Sequence, residues 1–170
     1  MNVQGKAALI TGGATGVGRA TGLALARLGC SIAVNHVAAT RSEADATVAE
    51  LTALGVNAIA IEADVTNDDA CRAMAATVAE RLGRLDILVN CAGVTRFIPH
   101  AALDDLRDDD WDFILGVNVK GTFHCARACR SYLAANGGVV INVASTAGLT
   151  GTGSSIRIAR SMARPQRSSG

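Results

Sequence analysis

The sequence predicts an α/β fold built on a doubly wound parallel sheet. From Lys6 to Val143, short β-branched runs alternate with longer Ala-rich stretches whose apolar residues recur at helical spacing. Most of the longer stretches stop near a glycine, at Gly29, Gly55 and Gly83. Alternation of this kind is the signature of βαβ units, in which each helix crosses over between parallel strands.

Taken in order, strands are expected near Ala7–Ile10, Ser31–Asn35, Asn57–Ile61, Leu85–Asn90 and Val139–Val143. Helices are expected near Val17–Leu28, Ser42–Leu54, Asp68–Leu82 and Trp111–Ala135. The glycines supply helix stops, and the period of the apolar residues separates strand from helix. Asp and Arg cluster around Pro99 between Thr95 and Asp110, which reads as an irregular insertion holding one short helix. Residues 157–170 are different: an arginine-rich, acid-free tail that reads as disordered, leaving 1–156 as the folded domain.

Composition narrows the function. With 170 residues, 49% of them hydrophobic, the chain can bury one sizeable core. A formal net charge of +1 argues against a nucleic-acid or membrane-surface partner, either of which calls for a basic face. Cys30, Cys71, Cys91, Cys125 and Cys129 are odd in number and form no CxxC pair, so neither a disulfide framework nor a zinc site is expected. There is no apolar leader and no long apolar run, so a soluble cytoplasmic protein is expected.

The first strand runs directly into Thr11-Gly12-Gly13-Ala14-Thr15-Gly16-Val17-Gly18. Glycines here permit a tight turn, close approach of backbone to a diphosphate, and close packing of helix on sheet. The free N–H groups and the dipole of the helix that follows favour an anion. Between a strand and a helix, this loop reads as a Rossmann-type dinucleotide site, although by itself it fits any tight strand-to-helix turn.

Further segments complete a pattern: Asp64-Val65 after the third strand, Asn90-Cys91-Ala92-Gly93 after the fourth, Val117-Asn118-Val119-Lys120-Gly121 in the long helix, and Ile141-Asn142-Val143-Ala144-Ser145 after the fifth. Together with the glycine loop, they resemble the short-chain dehydrogenase/reductase family over residues 5–156. The resemblance implies NAD(P)-dependent reduction of a small-molecule carbonyl or oxidation of an alcohol, of the 3-oxoacyl or small-ketone kind. It implies that Thr11, Gly12, Gly16, Val17 and Gly18 line the cofactor, and that Asp64, with Val65, bonds the adenine amino group. It places Asn90, Ala92 and Gly93 along the groove, gives Ser145 the substrate carbonyl, and has Asn118 hold a water in the proton relay. Pairing of two copies through the helix at 111–135 is also implied.

The ribose 2′-position is read roughly 20 residues after the glycine loop, where an acid selects NAD. Here that site is Asn35-His36, and Arg41 could reach a 2′-phosphate, so NADP is expected with NAD as the alternative.

The family pattern breaks after Ser145. Members carry a tyrosine and, one helical turn later, a lysine that lowers the phenol pKa. Counted from Ser145, those positions hold Ile158 and Met162, neither of which transfers a proton. The chain is therefore expected to be a reductase domain truncated after its fifth strand and inactive as it stands. A frame slip near Arg157 or a non-catalytic nucleotide-binding homologue would explain the break. The apolar fifth strand would then become an aggregation-prone sheet edge.

Overall fold

The computed structural model of the chain describes residues 2–99 and 102–147. The arginine-rich tail, Ile158 and Met162 lie outside the described residues. The described chain runs β1 (Ala7–Thr11), α1 (Gly16–Ala26), β2 (Ser31–His36), α2 (Arg41–Ala53), β3 (Ala58–Glu62), α3 (Asp68–Leu82), β4 (Ile87–Asn90), α4 (Asp108–Leu115), α5 (Thr122–Asn136) and β5 (Val139–Asn142).

The strands form one parallel sheet in the order β3-β2-β1-β4-β5. The chain moves outward from β1 to β3, then returns to place β4 on the other side of β1. The order therefore reverses between β1 and β4, and in such sheets ligands bind at the carboxyl ends of the strands flanking the reversal.

Alternation along each strand explains why these runs are apolar throughout. Leu9, Ala33 and Leu88 point to one face, where they meet Met74 and Val78 of α3 and Cys125 and Leu133 of α5. Ile10, Ile32, Val34 and Val89 point to the other, against Ala26 of α1 and Ala44 and Leu51 of α2. A parallel sheet covered on both faces has no polar side to show. Among the described residues β5 pairs only with β4, and Val140 and Ile141 are 44% and 49% exposed.

Two expectations needed revision. The long helix starts earlier, at Asp108, because Arg107 N–H donates to Asp110 Oδ2 at 3.2 Å and three aspartates occupy the first turn, where the helix dipole favours them. It is also not one regular helix: Gly116–Gly121 widens into a π turn between α4 and α5. Periodicity carried across the segment could not show that. The insertion after β4 does contain one short helical turn, Leu103–Asp105.

The amino edge of the sheet is a structural anchor. Asp86, fully buried just before β4, accepts the N–H of Ala7 at 2.9 Å and two Arg84 hydrogen bonds at 2.7 Å, with Lys6 at 3.5 Å. Burial pushes its pKa up, but Arg84, the Ala7 N–H and Lys6 outweigh it and hold the carboxyl below its usual value. A carboxylate depressed in the fold stabilises fully above its unfolded pKa of roughly 4, and that contribution fades as pH falls through the folded value. Asp86→Asn is expected to cost about 2–3 kcal/mol at neutral pH and to flatten the acid limb of the stability profile. Urea unfolding between neutral and acid pH checks both; a variant as stable as the native chain at neutral pH would discount the anchor.

No helix of the described residues is long and apolar enough to cross a membrane.

Candidate functional site

At the opposite edge, the strand ends bring most of the sequence-predicted residues together. The glycine loop after β1 faces the loop after β4 across the switch point. The Thr11 hydroxyl accepts the N–H groups of Cys91 and Ala92, each at 3.0 Å, and so ties the two loops at their roots. A Cβ on Gly12 would stand 2.9 Å from Ala92 Cα, so only glycine lets them lie this close. Gly18 seats α1 under its own loop, since a Cβ there would meet the Gly12 carbonyl oxygen at 2.4 Å. Gly16 is different: its φ is +53° and a Cβ would meet nothing within 4 Å.

Asn35 and His36, expected to read the ribose, are buried. Asn35 is committed to the scaffold: its Oδ1 accepts Gly12 N–H at 3.3 Å, its carbonyl accepts Gly13 N–H at 3.0 Å, and its Nδ2 donates to the Ala63 carbonyl at 2.9 Å. His36 Nδ1 lies 3.0 Å from the Val37 carbonyl, which fixes that nitrogen as a donor. Arg41 is exposed at the start of α2 and forms an ion pair with Glu62. Glu62 ends β3 in register beside His36, which brings an acid to this corner.

After β3, Asp64 Oδ1 accepts both the N–H and the hydroxyl of Thr66 at 2.8 Å, an Asx turn that holds its carboxylate at the surface. Val65 beside it is buried. Asn90, 4% exposed at the end of β4, donates through Nδ2 to Asn142 Oδ1 at 2.9 Å, while its own Oδ1 is buried without a hydrogen-bond partner among the described residues. Gly93 follows it, exposed.

Asn118 sits in the π turn and clamps the loop after β4: its Oδ1 accepts Val94 N–H at 2.9 Å and its Nδ2 donates to the Val94 carbonyl at 3.0 Å. Its backbone carbonyl accepts the Thr122 hydroxyl at 2.9 Å. Ser145, half-buried beyond β5, accepts Ala147 N–H at 3.1 Å through Oγ.

Sequence reasoning missed four residues that hold the site: Thr47, whose hydroxyl donates to the Ala14 carbonyl at 2.9 Å; Glu62; Asn142; and His124, whose Nδ1 lies 3.0 Å from the Val65 carbonyl. Of these, Glu62 carried a usable signal as the acid just after the predicted third strand, and Asn142 stood within the motif after the fifth strand without a role of its own.

The arrangement fits a dinucleotide diphosphate. The first turn of α1 has no side-chain cap and no acid, unlike α3, which Asn67 caps with Asp68 and Asp69 behind it. Its N–H groups and dipole thus stand open beside Gly16, where the space in front of the loop is clear. Between this loop and α2 lies a cleft of about 240 Å³ lined by Thr15, Arg19, Glu43 and Thr47. Arg19 is paired there with Glu50, and the Glu43 carboxyl is held below its usual range by a backbone N–H and the Ser42 hydroxyl. An ionised acid on that wall opposes a further anion beside it.

A parallel sheet in this order, with a glycine loop at its switch point, defines a Rossmann-type α/β protein. The family model for short chain dehydrogenases matches residues 6–156, and the chain belongs to that family. It is 39% identical over 147 residues to a 3-oxoacyl-(acyl-carrier-protein) reductase of Staphylococcus aureus, covering 86% of this chain and 58% of that protein. The chain therefore spans less than two thirds of the curated relative's length. A short chain dehydrogenase from Burkholderia cenocepacia, solved in complex with NADP, superposes with a TM-score of 0.87 at 38% identity, over 96% of this chain and 65% of the other. An NAD+-bound xylitol dehydrogenase gives a TM-score of 0.87 at 29% identity, over 95% and 61%.

Proposed function

We propose that this chain carries the cofactor half of an NAD(P)(H)-dependent short-chain reductase acting on a small carbonyl compound or alcohol of 3-oxoacyl or small-ketone type, with NADP(H) favoured over NAD(H). The observation that carries the reading is the open first turn of α1 beside a glycine loop locked by Thr11 and Asn35. The bound nicotinamide would supply hydride chemistry.

The chain's own residues divide the work. Gly12, Gly16, Val17 and Gly18 present backbone to the diphosphate, Asp64 and Val65 border the adenine, and Asn90, Ala92 and Gly93 wall the groove. Ser145 Oγ donates a hydrogen bond to the substrate oxygen and stabilises charge developing there. Asn118 keeps the wall in place through Val94, and the family resemblance gives it a water of the proton relay. With Ile158 and Met162 at the acid–base positions, turnover is expected to fall roughly 10²–10⁴-fold below that of a complete relative. The same two residues favour a second reading, a nucleotide-binding protein without chemistry.

NADPH and NADH fluorescence titration, followed by an assay with a 3-oxoacyl thioester, tests the proposal. Binding with slow turnover supports the first reading, binding with none supports the second, and no binding of either nucleotide sinks both. Pairing through the long helix is part of the reductase reading: Phe113, Val119 and Phe123 are exposed along α4, the π turn and α5. Size-exclusion chromatography of Phe123→Glu against the native chain tests it, with loss of a dimer expected.

The ion pair at the ribose corner sets the cofactor preference. Arg41 is the cation available to a 2′-phosphate, and Glu62 competes for it. Glu62→Gln is expected to tighten NADPH binding about 3–10-fold and leave NADH within about twofold, as suits one partly exposed charge pair. Equal effects on the two nucleotides would remove Arg41 from the 2′-site.

A further inference from the structure

His124 is not needed by the reductase reading, yet it is buried in the first turn of α5 with its ring turned toward the cofactor edge. Its Nδ1 lies 3.0 Å from the Val65 carbonyl, and because a carbonyl only accepts, the proton sits on Nδ1. Gly121, one turn earlier on the same face, is so close to Val65 that a Cβ there would stand 2.6 Å from Val65 Cγ2. The missing Cβ brings α5 against Val65, and the imidazole then satisfies a carbonyl whose other partner is the weak Cys71 thiol donor at 3.5 Å.

The loop after β3 is thereby held from two sides. Asn35 grips it at the Ala63 carbonyl and carries it on the same scaffold as the glycine loop. His124 grips it at Val65. Between these two grips stands Asp64, whose carboxylate is aimed by its turn onto Thr66.

We propose that His124 is a positioning residue that sets Asp64 for recognition of the adenine amino group. The inference rests on the reading above in which Asp64 meets the adenine. Without the Nδ1–H donor the Val65 carbonyl loses its strong partner, the loop shifts, and the edge of the base is no longer read.

The test compares NADPH with its hypoxanthine analogue, deamino-NADPH, in which a carbonyl replaces the adenine amino group; both are titrated by nicotinamide fluorescence against the 170-residue chain. The native chain is expected to prefer NADPH by roughly tenfold, the worth of one hydrogen bond to a charged acceptor. His124→Leu is expected to bind both nucleotides alike, and His124→Asn, whose carboxamide N–H can take the place of Nδ1–H, to recover the preference. If the leucine variant does not fold, His124→Gln, with its donor one bond further out, is expected to lose the preference in its place. A purely structural histidine would weaken both nucleotides equally and leave their ratio unchanged, and that result overturns the proposal. A native chain that binds both nucleotides equally overturns the Asp64 assignment and this inference with it, whereas one that binds neither overturns the dinucleotide reading itself.

Discussion

Replacing Gly18 with alanine is expected to weaken dinucleotide binding by about 100-fold and to lower the melting temperature, because its Cβ would meet backbone that cannot turn aside. The clashes are with the Gly12 carbonyl oxygen at 2.4 Å and with Gly12 C and Gly13 Cα at 3.0 Å. Relief requires α1 to move off the sheet or the loop to open. Either movement breaks the grip of Asn35 on Gly12 and Gly13. Gly16→Ala provides the contrast, since its added methyl meets no protein atom and the cost is confined to holding alanine at a φ of +53°, about 1–2 kcal/mol. That methyl projects in front of the α1 terminus, so this variant is expected to lose affinity with a smaller change in melting temperature. Nicotinamide fluorescence titration and thermal unfolding of both variants separate the effects. A Gly18→Ala chain that binds NADPH like the native one would show that the loop adapts and does not present its backbone to the diphosphate.

What was legible in the sequence was local. The sequence places α3 to the residue, Asp68–Leu82, because Asn67 caps one end and Gly83, with a φ of +76°, stops the other. The glycine loop was legible for the same reason, since the steric demands that select glycine act within a few residues of chain. The family resemblance to short-chain dehydrogenases is borne out, and so is the parallel Rossmann-type sheet.

What the sequence hid were partners distant along the chain. Asn35 looked like a ribose reader because of its place after β2, but its carboxamide is spent on Gly12 and on Ala63, which no local pattern announces. Arg41 stands where it could reach a 2′-phosphate, but the parallel register of β2 and β3 sets Glu62 within its reach. The π turn around Asn118 has no local signal, since its glycines and valines keep an ordinary helical periodicity; what accompanies it is tertiary, Asn118 bridging to Val94 and Gly121 pressed on Val65.

The two edges of the sheet therefore use charge in opposite ways. At the amino edge Asp86 is buried and surrounded by Arg84, Lys6 and a backbone donor, so its charge is spent on stability. At the carboxyl edge Asp64, Glu62 and Arg41 are exposed, and the α1 terminus is open. Folding energy is concentrated where no ligand is expected, and the opposite edge keeps charges and donors accessible to one.

That division underlies the prediction with the largest effect on activity. Replacing everything after Ile156 with the corresponding segment of a related full-length reductase, one that carries the tyrosine and lysine, is expected to raise cofactor-dependent carbonyl reduction by roughly 10²–10⁴-fold, the usual worth of a positioned acid–base pair. The graft joins where the family match ends, at residue 156, and leaves the glycine loop, the Asn118 clamp and Ser145 untouched. The donor segment is expected to set the substrate, and this chain the cofactor. Exchange of Glu62 for glutamine in the chimera is therefore expected to shift its NADPH preference as it does in the native chain. Ser145→Ala in the same chimera is expected to remove roughly 10²-fold in turnover with little change in NADPH affinity, as suits a hydrogen bond strengthened in the transition state. Steady-state kinetics with NADPH binding measured alongside decides the matter. A folded chimera that binds NADPH and stays inactive would overturn the roles given to Ser145 and Asn118, and one whose turnover survives Ser145→Ala would place the donor to the substrate oxygen elsewhere.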